Sequence, residues 1–187
     1  MKRIILASNS PRRKELMKVL DVEFEINASD IEEEIDPKLE HDDLVMDLAF
    51  QKAYAIFKDN KDAIVLGFDT LVVLDDYVLG KPKDEEEAKL FLKLLSGRTH
   101  RVLTGCTILT NGYSKSFYSD AFVTFMELSE EDIDEYIQTG EPMDKAGAYG
   151  IQAYGAKLVK SISGDYFTIV GFPVAMINVE LKKVINR

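Results

Sequence analysis

Two adjacent arginines near the amino terminus, Arg12 and Arg13, stand where a phosphate could bind. They follow Ser8-Asn9-Ser10-Pro11, in which Ser10 suits a helix cap and Pro11 suits the first helical turn. The arginines would then lie beside unpaired backbone N–H groups at the positive end of a helix dipole. The pattern therefore indicates an anion site. An ordinary strand-to-helix turn with two solvated arginines is the alternative.

Asp69 and two lysines form a second set of reactive residue types. Asp69 follows an apolar segment, residues 63–68, and α/β proteins bind ligands at the carboxyl ends of such strands. Asp69 could hold a divalent metal or act as a general base toward water, or it could simply bond the turn backbone. Pro82 fixes the backbone just after Lys81. Lys52 lies in an apolar helical passage, where a snorkelling lysine is the ordinary interpretation.

Acidic residues crowd into the segment between Glu23 and Asp43. They are Asp30, Glu32, Glu33, Glu34, Asp36, Glu40, Asp42 and Asp43. With a net charge of −10 the chain is a poor non-specific binder of nucleic acid, so no nucleic-acid partner is expected. A solvated loop is the ordinary interpretation of the cluster. Alternatively, its carboxylates could hold a divalent metal that bridges to a small polyphosphate.

Several other chemistries are disfavoured by missing motifs. The chain has neither the phosphate-binding Gly-x-x-x-x-Gly-Lys-Ser/Thr sequence nor a dinucleotide-binding Gly-x-Gly-x-x-Gly sequence after a strand. His41 and His100 are the only histidines, and neither has the i, i+4 partner of a helical zinc site. The single cysteine, Cys106, lies in a predicted strand, which disfavours a cysteine nucleophile. His100 is expected to be an ordinary exposed or edge residue of its strand.

The elements that must position these residues alternate between strand and helix. Strands are predicted over residues 4–7, 24–27, 63–68, 71–74, 77–80, 99–110, 113–126 and near 157–161. Helices are predicted from Pro11, over residues 43–58, after the caps Asp84 and Ser129, and from Pro173 to Ile185. Leucines 90, 94 and 95 are expected on the buried side of the helix that follows Asp84. The pattern predicts one α/β domain around a mixed, curved sheet, drawn into two lobes by a hairpin at Asn111-Gly112.

The composition agrees with a globular domain of this size. The chain has 187 residues, of which 46% are hydrophobic and 30% are charged. No apolar stretch approaches the roughly 20 residues that a membrane span requires, so no membrane partner is expected. A strand is predicted from the fourth residue, which leaves no room for a signal peptide. With one cysteine and no intrachain disulfide, a cytoplasmic location is expected.

Taken in order, the segments of this chain resemble the Maf family of nucleoside triphosphate pyrophosphatases. The matching segments are Leu6-Ala-Ser-Asn-Ser-Pro-Arg-Arg13, Asp30-Ile-Glu-Glu33, Leu48-Ala-Phe-Gln-Lys-Ala53, Gly67-Phe-Asp-Thr70, Gly80-Lys-Pro82, Leu95-Ser-Gly-Arg98, Glu141-Pro-Met-Asp-Lys-Ala-Gly-Ala-Tyr-Gly-Ile-Gln152 and Gly164-Asp-Tyr-Phe-Thr-Ile-Val-Gly-Phe-Pro173. Two positions depart from the family pattern, namely Phe68 where alanine is usual and Phe172 where leucine is usual.

The resemblance implies a fold, a reaction and a set of site residues. The fold is an elongated α/β sheet flanked by helices, shared with the inosine triphosphate pyrophosphatases, with a central cleft between two lobes. The reaction is hydrolysis of a nucleoside triphosphate to the monophosphate and pyrophosphate with Mg²⁺ or Mn²⁺. The implied catalytic residues are Asp69, Glu33, Lys52 and Lys81, with Asp69 and Glu33 as metal ligands. Ser8 and Arg13 are implied to hold phosphate.

Base specificity is implied by three further positions. In the branch of the family that prefers dTTP and UTP, arginine, threonine or serine, and glutamine match Arg12, Thr70 and Gln152. Gln152 can both donate and accept, as a uracil or thymine edge requires. The resemblance thus favours a dTTP/UTP pyrophosphatase that also hydrolyses modified pyrimidine nucleotides. The sister specificity for 7-methyl-GTP, inhibition of septum formation through a protein partner, and a homodimer stay open.

Overall fold

The computed structural model describes residues 2–28 and 31–185. Asp30, part of the acidic cluster and of the matching acidic segment, lies outside the described residues, as does Met1. The strands are β1 Ile4–Ala7, β2 Glu25–Ile26, β3 Ile64–Leu74, β4 Tyr77–Leu79, β5 Thr99–Thr110, β6 Tyr113–Phe125 and β7 Val159–Gly164. The α-helices are α1 Pro11–Lys18, α2 His41–Phe57, α3 Glu85–Leu95, α4 Glu130–Gln138, α5 Tyr166–Val170 and α6 Val174–Ile185. Three 3-10 helices cover Glu141–Asp144, Ala146–Ala148 and Ala153–Leu158.

The strands form one mixed sheet, as predicted. Its order is β2-β1-β3-β5-β6-β7, and β4 pairs with β3. β1 is parallel to both β2 and β3, whereas β3 is antiparallel to β4, and β6 to β7. The predicted α/β fold with a mixed sheet is therefore confirmed.

The chain divides into two compact units. The first unit comprises Met1–Asp69, Thr104–Ser119 and Gly171–Arg187, and the second comprises Thr70–Leu103 and Asp120–Val170. This division agrees with the two lobes expected from the sequence. The central cleft and the description as a single domain stay predictions.

The first unit buries both faces of its strands. Ile4 and Leu6 of β1 pack with α1 and α6, through Met17, Ile177, Leu181 and Val184. Ile5 and Ala7 project from the opposite face and pack with Ala53 and Ile56 of α2. Since helices cover both faces, β1 reads as an uninterrupted apolar run and not as an alternating one.

Two glycines let α2 approach the sheet closely. A side-chain carbon on Gly67 of β3 would collide with the Ala49 carbonyl and lie 2.6 Å from the Ala53 nitrogen. A carbon on Gly105 of β5 would collide with the Val45 carbonyl. Because these two glycines lack side chains, α2 can lie close to β3, the strand that carries Asp69, and to β5.

The core of the second unit corrects one prediction. On α3 the buried side is formed by Ala88, Leu92 and Leu95, which recur at the helical spacing of four and three residues. Leu95 is buried as expected, but Leu90 and Leu94 are 53% and 40% exposed. The prediction for these two leucines rested on residue type, whereas the helical period places positions 90 and 94 away from the core. Ile133, Tyr136 and Ile137 of α4 complete this packing.

Asp69 does not end its strand, contrary to the sequence prediction of two strands separated by a turn. β3 runs unbroken from Ile64 to Leu74, because it exchanges partners as it proceeds. Its parallel pairing with β1 ends at Gly67, and its antiparallel pairing with β4 begins at Val72. Asp69 thus lies within the strand but beyond the carboxyl end of β1.

His100 is also placed differently from the prediction. It is 2% exposed, and its Nε2 lies 2.7 Å from the Tyr149 hydroxyl oxygen. The expectation of an exposed or edge residue was wrong, because β5 is an interior strand of the sheet. Among the described residues, no helix is long and apolar enough to cross a membrane.

Candidate active site

Two carboxylates of the first unit converge on one ammonium group. Lys52 Nζ donates to Asp69 Oδ1 and lies 2.9 Å from Glu33 Oε1. The Asp69 side chain is 12% exposed, and the Glu33 side chain is 37% exposed. The structure therefore brings together a buried carboxylate, a partly exposed carboxylate and a lysine that are far apart in sequence.

The convergence follows from how α2 packs. Ala49 and Ala53 of α2 lie against Gly67, two residues before Asp69 on β3. Lys52 directly precedes Ala53, so its long side chain starts close to the sheet and reaches Asp69 further along the strand. The snorkelling interpretation of Lys52 is thereby replaced by a specific ion pair.

Burial and charge act in opposite directions on Asp69. Burial raises the pKa of its carboxyl group, and the positive charges of Lys52 and Arg13 only partly offset that effect. The Glu33 carboxylate raises the pKa of Asp69 further because it is a like charge. A carboxylate with a raised pKa is a stronger base than an ordinary aspartate and is suited to accept a proton.

The start of α1 is built as the sequence predicted. The Ser10 hydroxyl accepts a hydrogen bond from the Arg13 backbone N–H at 3.4 Å, and Pro11 occupies the first turn. The Ser8 hydroxyl accepts from the Ser10 N–H and from Arg13 Nη1, each at 3.3 Å. The Arg12 side chain has no hydrogen-bond or ion-pair partner within residues 2–28 and 31–185.

Arg13 is bound into the protein more firmly than the sequence suggested. Its Nε donates to the Gly171 carbonyl at 2.9 Å, and its Nη1 donates to the Phe68 carbonyl at 3.3 Å. The guanidinium also lies 5.5 Å from the centre of the Phe68 ring. Burial lowers the pKa of Arg13, while the Asp69 carboxylate raises it. Arg13 therefore holds the backbone residue next to Asp69, in addition to any role toward a ligand.

The remaining site residues of the sequence analysis belong to the second unit. Thr70 follows Asp69 in β3 and is partly buried. Lys81 and Gln152 are both exposed, and neither side chain has a hydrogen-bond partner in the part of the chain that the structure describes. Their roles toward a ligand stay predictions.

Comparison with known proteins gives the family. The family described as "Maf-like protein" matches residues 3–184. The chain belongs to the Maf family. A dTTP/UTP pyrophosphatase of Bacillus cereus strain G9842 is 51% identical to it over 183 residues, covering 98% of this chain and 96% of the relative. The protein of the same name from Bacillus cytotoxicus shows the same identity and coverage.

Solved structures of low sequence identity share the fold of this Maf protein. A HAM1 protein from Coxiella burnetii matches with a TM-score of 0.58 and 14% identity, over 98% of this chain and 100% of that chain. The Ham1 protein of Staphylococcus aureus matches with a TM-score of 0.55 and 14% identity, over 97% and 99%. These likenesses concern the fold alone.

The donor set of this Maf protein suits the divalent metal that the family implies. Asp69 and Glu33 supply hard carboxylate oxygens directed at one positive charge, the kind of donor that Mg²⁺ and Mn²⁺ prefer. Among the described residues no group of three or more His, Cys, Asp or Glu side chains could hold a metal alone. Two carboxylates completed by substrate phosphates and water are the usual arrangement for Mg²⁺.

One residue beside the site was missed in the sequence. Gln51 precedes Lys52 on α2 and makes hydrogen bonds to both backbone groups of Glu34, the neighbour of Glu33. In the sequence, Gln51 stands out only as a member of the matching segment that contains Lys52. Nothing in the spacing of the two residues reveals that they meet.

Proposed function

We propose that this Maf protein is a nucleoside triphosphate pyrophosphatase that hydrolyses dTTP and UTP to the nucleoside monophosphate and pyrophosphate. The observation that carries the proposal is the convergence of Asp69 and Glu33 on Lys52. The identity of 51% with relatives named dTTP/UTP pyrophosphatase supports the choice of substrates. We also propose a cytoplasmic location, where such nucleotides are found.

In the proposed reaction, a water molecule attacks the α-phosphorus of dTTP. Asp69 is placed to act as the general base that accepts a proton from this water. A new P–O bond forms to the water oxygen, and the bond between the α-phosphorus and the bridging oxygen breaks. The bridging oxygen leaves with pyrophosphate, so the water oxygen remains in dTMP.

Positive charge is the second requirement, because the phosphate oxygens and the leaving group carry growing negative charge. Lys52 supplies a charge beside Asp69, and Arg12 supplies a charge at the start of α1 that no protein group neutralises within the described residues. Ser8 and Arg13 hold phosphate at this helix end, and Lys81 adds a contact. Asp69 and Glu33 would hold a Mg²⁺ or Mn²⁺ ion, which would supply further positive charge to stabilise the phosphate oxygens.

The site of attack can be tested with isotopically labelled water. Hydrolysis of dTTP in H₂¹⁸O should yield dTMP and pyrophosphate, with the label in dTMP. Release of dTDP with orthophosphate would overturn the reaction, and label in pyrophosphate would move the attack to the β-phosphorus. The same assay with EDTA, followed by Mg²⁺ or Mn²⁺, tests the proposed metal.

The role of Asp69 can be tested with a variant of nearly the same size. Asp69→Asn cannot accept the proton, so kcat should fall by roughly 10²-fold or more. The thermal unfolding midpoint should show whether the variant is folded. A folded variant with nearly normal turnover would make Asp69 a structural partner of Lys52 only.

A further inference from the structure

The acidic loop that carries Glu33 is attached to α2 at two successive positions. Lys52 Nζ binds the Glu33 side chain at 2.9 Å, and the preceding helix residue, Gln51, binds the backbone of Glu34. Residues 31–36 have neither helical nor strand structure, so the loop has no regular backbone ladder to hold it. The two attachments therefore decide where Glu33 lies.

The Gln51 side-chain amide both accepts a hydrogen bond from the Glu34 backbone and donates one to it. Its Oε1 accepts from the Glu34 N–H at 3.0 Å, and its Nε2 donates to the Glu34 carbonyl at 2.8 Å. The second hydrogen of Nε2 goes to Asp47 Oδ2 at 2.6 Å, one helical turn earlier. A carboxylate accepts hydrogen bonds and donates none, so Asp47 determines which end of the Gln51 amide is the donor.

Glu33 depends on this attachment more than Asp69 does. Asp69 is fixed by a strand of the sheet, whereas Glu33 is on a loop and its side chain is 37% exposed. An exposed ion pair contributes little by itself, commonly about 0–1 kcal/mol. The Lys52–Glu33 pair alone is thus too weak to hold the loop in a single position.

We propose that Gln51 is a positioning residue, which holds Glu33 beside Lys52 and Asp69 by clamping the backbone of Glu34. The inference rests on the proposed function, since it assigns Glu33 a place in that site. Gln51 itself touches none of the reacting groups. Its effect on turnover passes through Glu33.

Two variants of Gln51 distinguish the loss of its hydrogen bonds to Glu34 from the mere loss of side-chain volume. Gln51→Ala removes all three hydrogen bonds, and Gln51→Glu keeps the size but removes both donors and places a negative charge near Asp47. Each should lower kcat for dTTP roughly tenfold, because a misplaced group costs rate even when it is not lost. Gln138→Ala is the matched control, since Gln138 is an exposed glutamine of α4 whose side chain makes no hydrogen bond to the described residues.

A double-mutant cycle shows whether Gln51 acts through Glu33. Glu33→Gln should lower kcat by roughly 10²-fold, and adding Gln51→Ala to it should change kcat less than about twofold. Losses that multiply in the double variant would overturn the proposal. If the wild-type protein does not release dTMP and pyrophosphate, the proposed function fails instead, so the two failures are distinguishable.

Hydrogen exchange gives a readout that does not depend on activity. The Glu34 amide should exchange at least about tenfold faster in Gln51→Ala than in the wild type, since its acceptor is lost, while amides of β3 should be unchanged. Gln138→Ala should leave the Glu34 amide as in the wild type. Unchanged exchange at Glu34 in Gln51→Ala would overturn the clamp itself.

Discussion

Replacement of His100 by phenylalanine should make the protein more resistant to acid. The His100 ring is enclosed by the rings of Phe125 and Tyr149, with centroids 5.1 and 5.3 Å away. Its Nε2 shares a hydrogen bond with the Tyr149 hydroxyl, but its buried Nδ1 has no partner among the described residues. A protonated ring needs an acceptor for each N–H, and here one would be missing. Burial accordingly lowers the pKa of His100 from 6.5 to about 4.

The direction of the pH effect follows from that pKa. The unfolded chain binds the proton with an ordinary pKa of 6.5, whereas the folded protein binds it only near 4. The contribution of neutral His100 to stability is therefore complete above pH 6.5 and is lost as the pH falls toward 4. With these two values the loss is about 2.5 kcal/mol at pH 4.5, at 1.36 kcal/mol per pKa unit.

Urea unfolding at pH 7.5 and pH 4.5 measures this loss. His100→Phe keeps an aromatic ring but cannot be protonated, so the stability of the wild type relative to the variant should fall by about 2.5 kcal/mol between the two pH values. Tyr149→Phe is the control, because it removes the hydrogen bond to His100 but leaves the buried histidine to titrate. Its stability should decline with acid as in the wild type. Parallel declines for the wild type and His100→Phe would refute the reasoning.

Three further predictions concern packing and base choice. Gly67→Ala should lower the free energy of unfolding by about 2–3 kcal/mol in urea, whereas Gly80→Ala, with open space around it, should cost less than about 0.5 kcal/mol. Phe68→Ala should cost about 3–5 kcal/mol, and combining it with Phe172→Leu should cost less than the sum of the two single variants, because the two ring centroids are 4.9 Å apart. Additive costs would count against that coupling. Gln152→Glu should lose about 1–3 kcal/mol of discrimination in kcat/KM for dTTP and UTP over other nucleotides, and an equal loss on all nucleotides would contradict base reading.

The elements whose signals are local were predictable from the sequence. Ser10, Asp84 and Ser129 each cap the helix that they were expected to start. The hairpin between β5 and β6 turns at Asn111-Gly112, as predicted. In these cases the residues that decide the structure are within four positions of one another. The local sequence is therefore enough to predict the cap or the turn.

The errors arose where a distant partner decides the outcome. β3 continues through Asp69 because a second strand takes over its pairing after β1 ends. His100 is buried because other strands flank β5 and because Phe125 and Tyr149 pack on its ring. Neither the change of strand partners along β3 nor the burial of His100 can be inferred from the residues next to Asp69 or His100 in the sequence.

The candidate site likewise combines features that the sequence indicates with contacts between residues that are distant in sequence. The resemblance implied a shared role for Asp69, Lys52 and Glu33, but no spacing rule brings a loop residue, a helix residue and a strand residue to one point. The two glycines that admit α2 to the sheet explain how Lys52 reaches Asp69. We propose that the position of Glu33 depends in addition on Gln51. This role is recognised only from the two hydrogen bonds between the Gln51 side chain and the Glu34 backbone.

The two departures from the Maf pattern, Phe68 and Phe172, bear on Arg13. Phe68 and Phe172 are in contact, and the Arg13 guanidinium lies over the Phe68 ring. An alanine at position 68 would offer Arg13 no ring, so this chain has a cation–π contact that the usual residue cannot make. The same guanidinium donates to the carbonyls of Phe68 and Gly171, the residues that precede Asp69 and Phe172. Arg13 thus connects the start of α1 to the strand that carries Asp69, and the aromatic pair beneath it links the packing of the core to the geometry of the site.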